Sequence, residues 1–352
     1  MALTFSSLDG FMAHGFDTLI DVRSPAEFAE DHVPGAINMP VLSNAERAEV
    51  GTIYKQESPF RARKLGAAMV FRNAAGHIAG PLADRGGRWR PLVYCWRGGQ
   101  RSGSFAWMLS EIGWRADTVS GGYRSYRRLV NTYLYESPLP HRVVLLDGNT
   151  GTAKTDLLKT LAARGWQVLD LEAAAGHRGS LLGGCGEQPL QKAFESRLAG
   201  ILSPMDPFRP VLVEAESSKI GARILPPSLW SLMKDAPRIE IEAPLAARVE
   251  YLSEAYTDIL SDKSQLKDLL QHLRPVRGNA VVDGWMERIA AGDKRGLTAA
   301  LMQEHYDPAY SKARAARGMT PLATLRARAL DRRGLDETAS EIEAVLNTNF
   351  PA

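Results

Sequence analysis

The stretch "LVYCWRGGQRSGS" (residues 92–104) runs from apolar residues through a cysteine into a loop of glycine, arginine and serine. The apolar residues are typical of a buried strand, and the amphipathic segment "SFAWMLSEI" (104–112) is typical of a helix. Cys95 therefore stands at the turn between a strand and a helix. From this pattern alone, Cys95 is either a packed core thiol or a nucleophile inside an anion-binding loop.

Strands and helices alternate on both sides of this stretch. "TLIDV" (18–22) and "ADTV" (116–119) are strand-like, and a helix-like segment follows each of them. This alternation predicts an α/β domain built on a mostly parallel sheet. Segment 41–80 interrupts the alternation and is partly polar and basic, so we expect an insertion there that contributes nothing to the core.

A second domain is expected after "ESPLPHR" (136–142), where two prolines in seven residues predict a linker. "VVLLDGNTGTAKTDLLKTLAARG" (143–165) then predicts a strand, a glycine-containing loop and a helix. Further strand candidates lie at 167–171, 210–217 and 238–243, and the chain beyond Pro244 has helical spacing.

The length of 352 residues exceeds what one core usually supports. We therefore predict two domains, 1–136 and 137–352. Each is expected to be an α/β domain, the second with a phosphate loop (P-loop) and a helical C-terminal part.

The composition, 45% hydrophobic and 24% charged, is that of a globular protein. No apolar run approaches the ~18–20 residues that cross a bilayer, and the N-terminal residues lack the pattern of a secretory signal. The two cysteines, Cys95 and Cys185, cannot form a disulfide framework. These features predict a cytoplasmic protein with no membrane partner.

Arginines and lysines concentrate in two segments although the net charge is only +3. Residues 85–128 contain nine arginines against two acidic residues, and residues 312–333 contain seven basic residues against one. Such clusters favour a polyanion such as RNA, because bound phosphates release counterions. A solvated helix face explains the second cluster equally well.

The cysteine loop has the spacing C-x5-R, with Cys95 and Arg101 at its ends and Arg97, Gly98 and Gly99 between them. A short loop at a helix N-terminus points its amide N–H groups inward and forms a nest for an anion. Amide dipoles and a nearby Arg97 or Arg101 favour the thiolate, which is the nucleophilic form of cysteine. A core cysteine does not require these neighbours, so we favour the nucleophile.

The phosphate loop "GNTGTAKT" (148–155) is close to the pattern G-x-x-x-x-G-K-[ST]. In that pattern backbone amides wrap a diphosphate, the lysine adds a positive charge, and the last hydroxyl suits Mg²⁺. The corresponding residues are Gly148, Asn149, Thr150, Gly151, Lys154 and Thr155. Ala153 replaces the usual glycine, which leaves open whether the loop binds a nucleotide or only another diphosphate.

"LIDVRSPAEFAEDHVPGAINMP" (19–40) together with "YCWRGGQRSG" (94–103) resembles the rhodanese domain, which carries sulfur as a cysteine persulfide. The matching positions are Asp21, Arg23, Glu27, His32, Pro34, Gly35, Ala36, Asn38 and the active cysteine, Cys95. Phosphatases of the Cys-x5-Arg type use the same ring of amides, so this loop alone does not identify the substrate.

Several longer segments resemble the tRNA 2-selenouridine synthase family. They include the segment 49–70 and "HYDPAYSKA" (305–313), which generic rhodaneses lack, and also 94–104, 120–128, 171–180, 188–195 and 213–221. The resemblance implies an enzyme that replaces the 2-thio sulfur of the wobble uridine in tRNA by selenium from selenophosphate. It also implies a geranylated intermediate made from geranyl diphosphate, and an enzyme that supplies selenophosphate as a partner.

The resemblance further implies that Cys95 is the catalytic cysteine and carries selenium, with Arg97 and Arg101 holding the phosphate of selenophosphate. It places the phosphate loop in the second domain, where we expect the diphosphate of the prenyl donor and a site suited to Mg²⁺. No tightly bound cofactor is expected.

Some residues keep two interpretations. Glu214 or Glu216 either supplies an acidic group beside the phosphate loop or caps a loop. Cys185 is more simply a small residue among glycines than a second reactive thiol. The remaining residues either contact RNA or a diphosphate, or only hold loops and helices together: His177, Arg178, Tyr306, Asp307 and Tyr310.

Three rival functions compete with the tRNA selenation that the resemblance implies. A rhodanese-type sulfurtransferase would need no tRNA, and a phosphatase–kinase fusion would form a phosphocysteine. An RNA-binding scaffold would not depend on Cys95.

Overall fold

The computed structural model describes residues 1–178, 187–257, 262–317 and 320–351, and leaves out the side chains of 313–317. The chain divides into two compact units. The first contains residues 1–138 and 189–204, and the second contains residues 139–188 and 205–352. Residues 189–204 thus belong to the first unit, although a division of the chain at 136/137 assigns them to the second domain.

The strands in chain order are β1 (Ala2–Leu3), β2 (Thr18–Asp21), β3 (Ile37–Asn38), β4 (Pro91–Tyr94), β5 (Asp117–Val119), β6 (Arg142–Gly148), β7 (Gln167–Leu169), β8 (Pro210–Glu214), β9 (Lys219–Ile220), β10 (Arg223–Ile224), β11 (Arg238–Glu242) and β12 (Ala323–Arg326).

The helices in chain order are α1 (Leu8–Met12), α2 (Pro25–Glu30), α3 (Asn44–Gln56), α4 (Pro59–Ala79), α5 (Gln100–Ile112), α6 (Gly122–Asn131), α7 (Lys154–Ala163), α8 (Leu171–Ala175), α9 (Gln191–Leu202), α10 (Pro227–Lys234), α11 (Leu245–Ala255), α12 (Lys263–Gln271), α13 (Arg274–Arg277), α14 (Asn279–Ala291), α15 (Lys294–Leu301), α16 (Asp307–Arg317) and α17 (Arg332–Asn349). π-helical turns at Thr132–Glu136 and Met302–Tyr306 extend α6 and α15.

The first unit is built on a parallel sheet in the order β1-β5-β4-β2-β3. Local signals place its helices as the sequence predicts. Pro25 opens α2, and the Glu27 carboxylate accepts a hydrogen bond from the Ser24 backbone N–H. Helix α9 packs on α6 within this unit.

The expectation that segment 41–80 lies outside the core is wrong. This segment forms α3 and α4, and Val41, Leu42, Val70 and Ala74 belong to the same buried cluster as Val93. Helix α4 buries a narrow stripe at four-residue spacing, Ala62, Gly66, Val70 and Ala74. Because these side chains are small and polar residues flank them, their periodicity is easily overlooked in the sequence.

The second unit is built on a parallel sheet in the order β12-β11-β6-β8-β7, and β9 and β10 form a separate antiparallel hairpin. The expectation that the chain beyond Pro244 is only helical is wrong at β12, which pairs with β11 at the sheet edge. The helical C-terminal part is otherwise confirmed, and α17 packs against α7 over the sheet.

The predicted fold class is therefore confirmed, because both units have parallel sheets covered by helices. The central strands are β4 in the first sheet and β6 in the second, each with neighbours on both sides. Ligands of such sheets bind beyond the carboxyl ends of the strands, where the strand order reverses. Within the described residues, no helix is both long and apolar enough to cross a membrane.

Candidate active site

Cys95 directly follows β4, and its side chain is 3% exposed. The Ser102 hydroxyl, in the first turn of α5, donates a hydrogen bond to the Cys95 sulfur over 3.3 Å. Gly99 caps α5 in the left-handed conformation (φ 76°), which a glycine adopts without strain. The loop from 95 to 99 thus closes on the N-terminus of a helix, as the sequence predicts.

The backbone amides of this loop are available for an anion. The N–H groups of residues 96–99 donate to no acceptor within the described residues. Successive free N–H groups beside a helix N-terminus form an anion-binding concavity. A buried sulfur lies at the start of this nest, so the loop can bring an anionic donor to a nucleophile.

The two arginines of the loop have different environments. Arg97 is exposed and forms no ion pair with any described residue. Arg101 is half-buried and donates to both carboxylate oxygens of Glu27, over 2.8 and 3.3 Å. Burial alone would raise the pKa of Glu27, but the hydrogen bond and charge of Arg101 outweigh it and lower that pKa. Arg97 is therefore the cation with the greater freedom to meet a ligand.

Helix α6 holds the cysteine loop from outside. The Tyr123 N–H donates to the Cys95 carbonyl (2.8 Å), and the Arg124 N–H donates to the Trp96 carbonyl (3.1 Å). This approach depends on Gly122, because a Cβ there would lie 2.2 Å from the Cys95 carbonyl oxygen. The position of the loop thus depends on a glycine that is distant from it in the sequence.

A buried polar network lies under the loop. Arg23 forms a bidentate ion pair with Asp21 and donates to the Asp31 carbonyl (2.6 Å). The Asp31 carboxylate accepts hydrogen bonds from the Tyr123 hydroxyl (2.6 Å) and the Ser196 hydroxyl (2.9 Å). Ser196 lies on α9, so this helix helps to hold α6 and the loop in place.

The phosphate loop has the same arrangement in the second unit. It follows β6, and α7 begins at Lys154. Ala153 caps α7 with φ 57°, the left-handed conformation that glycine has in the usual motif. The N–H groups of Thr150, Gly151 and Ala153 have no acceptor within the described residues. The loop therefore keeps the shape of a diphosphate cradle although its glycine is replaced.

Lys154, Thr155 and Glu216 line one cavity of about 270 Å³ beside this loop. The Lys154 ammonium donates to the Gly148 carbonyl (2.9 Å) and lies 5.8 Å from the centre of the Tyr310 ring. Tyr251 and Tyr256 also line the cavity. The predicted phosphate-loop residues are thus brought together, next to aromatic side chains that the motif does not include.

Three carboxylates converge on this cavity: Glu172, Glu214 and Glu216, whose oxygens lie within 4.8 Å of one another. Thr155 donates its hydroxyl hydrogen to Glu172 (3.1 Å). Glu214 is the last residue of β8, and its carboxylate accepts a hydrogen bond from the Glu172 N–H (2.8 Å). Glu214 is therefore both an acidic group beside the phosphate loop and a cap for the segment that contains Glu172. Carboxylate and hydroxyl oxygens are hard ligands that suit Mg²⁺.

Burial and crowding raise the pKa values of these carboxyl groups. Burial raises the pKa of Glu214 well above its usual range, and the charges of Glu172 and Glu216 raise it further. Burial also raises the pKa of Glu216, to about 7, although the charge of Lys154 opposes this. The pKa of Glu172 is raised for the same reason. A cluster of this kind gains stability from a bound cation.

The segment near the C-terminus is attached to the phosphate loop. Asp307 accepts from the Asn149 amide (3.0 Å) and pairs with Arg248 (2.7 Å), which also donates to the Thr150 carbonyl (2.9 Å). Asp307 therefore holds the helices together, the simpler of its two interpretations. Tyr306 is buried, whereas Tyr310 faces the cavity.

The other candidates are placed as follows. Arg178 lines the cavity, with its guanidinium 5.2 Å from the centre of the Tyr256 ring. His177 is half-buried, and burial lowers its pKa. Cys185 lies outside the described residues. The spacing of residues in the sequence did not predict that Glu172 belongs to the carboxylate cluster or that Glu27 pairs with Arg101.

Comparison with known families matches both units. Residues 5–129 match the model of the rhodanese-like domain, and residues 141–273 match the model described as the tRNA 2-selenouridine synthase AAA domain. These matches cover the cysteine loop and the phosphate loop respectively.

Relatives named tRNA 2-selenouridine synthase are similar over most of the chain. The protein of Chromohalobacter salexigens is 34% identical, over 83% of this chain and 86% of that protein. The protein of Hahella chejuensis is 32% identical, over 83% of this chain and 84% of that protein. The protein of Nitrosomonas europaea is 36% identical over 68% of this chain, which spans 63% of that protein's length. The chain therefore belongs to the tRNA 2-selenouridine synthase family, as the motifs of both loops indicate.

Proposed function

We propose that the protein replaces the 2-thio sulfur of a wobble uridine in tRNA by selenium, in two steps at two loops. One observation carries this proposal: a single chain of this family holds two strand–loop–helix anion cradles, one with a thiol and one with a lysine. The names of its relatives supply the substrate, tRNA, and the product, 2-selenouridine.

The first step is geranyl transfer at the phosphate loop. The sulfur of 2-thiouridine attacks C1 of geranyl diphosphate, the C1–O bond breaks with its electron pair on diphosphate, and N3 loses its proton to water. The loop amides and Lys154 bind the diphosphate and stabilise the charge that develops on it. Tyr251, Tyr256 and Tyr310 provide an apolar wall for the prenyl chain beside Lys154.

A bound Mg²⁺ would supply positive charge that stabilises the leaving diphosphate. The Thr155 hydroxyl and the three carboxylates would hold this ion. The donor set of the cavity fits such an ion, because it consists of oxygens only. The role of Lys154 and of the amides does not depend on it.

The second step is selenium transfer at the cysteine loop. The Cys95 thiolate attacks the selenium of selenophosphate, so that an S–Se bond forms and the Se–P bond breaks with its electron pair on phosphorus, giving phosphite. The terminal selenium then attacks C2 of the geranylated base, the C2–S bond breaks, and geranylthiol leaves. A small thiol reduces the S–Se bond, is oxidised to its disulfide, and restores Cys95.

In the second step, the free amides of residues 96–99 and Arg97 bind the phosphate group of selenophosphate. The Ser102 hydroxyl, 3.3 Å from the sulfur, stabilises the thiolate before attack. Arg101 positions the start of α5 through its pair with Glu27. An enzyme that makes selenophosphate is the expected supplier.

The test is a complete reaction in which thiolated tRNA is incubated with the protein, geranyl diphosphate, selenophosphate and a thiol. The RNA is then digested, and the masses of its nucleosides are measured by mass spectrometry. We expect S-geranyl-2-thiouridine without selenophosphate and 2-selenouridine with it. Omission of geranyl diphosphate should leave the sulfur in place. Phosphite should accumulate in the ³¹P spectrum above a reaction without protein.

Other products would identify other functions. A Cys95 persulfide formed from thiosulfate, with unchanged RNA, would indicate the rhodanese-type sulfurtransferase instead. Orthophosphate without phosphite would contradict the S–Se intermediate. A phosphocysteine would indicate phosphatase chemistry.

A further inference from the structure

Trp96, the residue directly after the cysteine, is 39% exposed, although a tryptophan side chain is usually largely buried. Its ring stacks on that of Tyr123, with centroids 5.3 Å apart and an angle of 24° between the planes. The exposed ring is therefore held in a defined orientation on the residue next to Cys95 in the chain.

The support under Trp96 is rigid. Tyr123 is buried, and its hydroxyl donates to the buried Asp31 carboxylate (2.6 Å). The Arg23 guanidinium lies 4.0 Å from the centre of the Tyr123 ring. The Trp96 carbonyl accepts a hydrogen bond from Arg124 N–H (3.1 Å). An aromatic surface held in this way loses little conformational entropy when a planar ligand stacks on it.

Exposed arginines accompany this aromatic surface. Arg97 follows Trp96, and Arg124 and Arg128 lie four residues apart on α6, so they share a face of that helix. None of the three forms an ion pair with a described residue. By contrast, Arg127 between them is paired with Glu195. The unpaired arginines thus provide positive charge for an anionic ligand that brings a planar group.

We propose that Trp96 is the stacking platform for the uridine base that reacts at Cys95, and that Arg97, Arg124 and Arg128 bind the adjoining RNA phosphates. An anticodon loop offers unpaired bases, and proteins read such bases by stacking them on aromatic side chains. Chemistry at C2 also requires a base that is free of its neighbours. The inference rests on the proposed selenium transfer at Cys95 and names the residue that holds its RNA substrate.

The first test compares Trp96→Ala with Trp107→Ala. Trp107 is a matched control because it is 56% exposed on α5 in the same unit and meets Phe71 edge-on rather than the cysteine loop. The substrate is an anticodon stem-loop that already carries S-geranyl-2-thiouridine. We expect Trp96→Ala to raise KM for this RNA about 5- to 100-fold. Trp96→Phe should recover most of the loss, and Trp107→Ala should match the wild type.

Selenium loading distinguishes failure of this inference from failure of the proposed function. Mass spectrometry of the protein with selenophosphate alone should show equal selenium on Cys95 in wild type and Trp96→Ala. If the wild type takes up no selenium, the proposed function fails. If the wild type converts the RNA and Trp96→Ala does so with unchanged KM, the stacking platform is wrong.

The second test is direct photocrosslinking. A stem-loop with 5-iodouridine at the wobble position is irradiated with the protein, and the crosslinked residue is identified by tandem mass spectrometry. We expect Trp96, with yield falling at high salt and in Arg124→Ala. A crosslink to Trp107, or none to Trp96, would overturn the proposal.

Discussion

The cysteine loop and the phosphate loop share one backbone design but differ in the side chains that they present. Each follows the central strand of a parallel sheet and ends at a left-handed residue, Gly99 or Ala153, that caps a helix. The first presents a buried thiol and free arginine, whereas the second presents Lys154 beside three carboxylates. Both backbones thus offer free amides at a helix N-terminus, and in the proposed function the side chains assign reactive sulfur to the first loop and diphosphate chemistry to the second.

The largest effect that separates the two loops is expected for Lys154→Ala. Loss of the ammonium should slow geranylation about 100-fold or more, because the amides alone neutralise less of the charge on the leaving diphosphate. Selenium loading of Cys95 should be unchanged. Lys234→Ala is the matched control, since Lys234 is an exposed lysine at the end of α10. Normal prenyl transfer by Lys154→Ala would show that the phosphate loop is not the donor site.

Gly122→Ala tests how the cysteine loop is held. The added methyl would meet the Cys95 carbonyl at 2.2 Å in a backbone with φ 58°, so we expect the free energy of unfolding to fall by about 2–4 kcal/mol. Urea denaturation measures this loss. Gly98→Ala, whose methyl meets nothing within 4 Å, should change stability by less than about 0.5 kcal/mol. Equal stability of both variants would contradict the close contact of α6 with the loop.

The two left-handed cap residues, Gly99 and Ala153, can be compared by giving each position the residue type of the other. Gly99→Ala adds a side chain at φ 76° in open space, so it should cost about 1 kcal/mol of unfolding free energy. Ala153→Gly relieves a similar strain at φ 57° but removes a buried methyl, and the two effects should nearly cancel. Thermal unfolding of both variants checks this asymmetry. A large stabilisation by Ala153→Gly would mean that the methyl does not pack.

The smallest expected effect is the pH dependence of the stability that the Glu27–Arg101 ion pair contributes. Since folding lowers the pKa of Glu27 below its ordinary 4.5, the pair stabilises the protein above that pH and is lost as the pH falls through the lower folded value. Glu27→Gln should therefore be less stable than the wild type at pH 7, and the difference should shrink in acid. Unfolding measured at pH 7 and pH 3 tests the sign, and a difference that grows in acid would contradict it.

Local features of the sequence predicted both loops, because each needs only a strand, a few loop residues and a helix within about 15 positions. The start of α2 at Pro25, the end of a strand directly before Cys95 and the end of another at Gly148 could likewise be predicted. These features depend on residues adjacent in the chain, so their physical signals are visible without a structure.

Features that depend on distant partners could not be predicted in this way. Strand β12 is four residues long and is stabilised by pairing with β11, more than 80 positions earlier. The ion pair of Arg101 with Glu27 joins residues 74 positions apart. The Trp96 ring contacts the Tyr123 ring only when α6 packs against the loop. Neither periodicity nor spacing marks such contacts.

The most direct test of two loops with two chemistries uses Cys95→Ser and RNA that already carries S-geranyl-2-thiouridine. With selenophosphate and thiol present, we predict that this variant forms 2-selenouridine at least about 1,000-fold more slowly than wild type. The same variant should still geranylate thiolated RNA at the wild-type rate. Selenation at an undiminished rate by Cys95→Ser, or loss of both steps together in a correctly folded protein, would contradict the account.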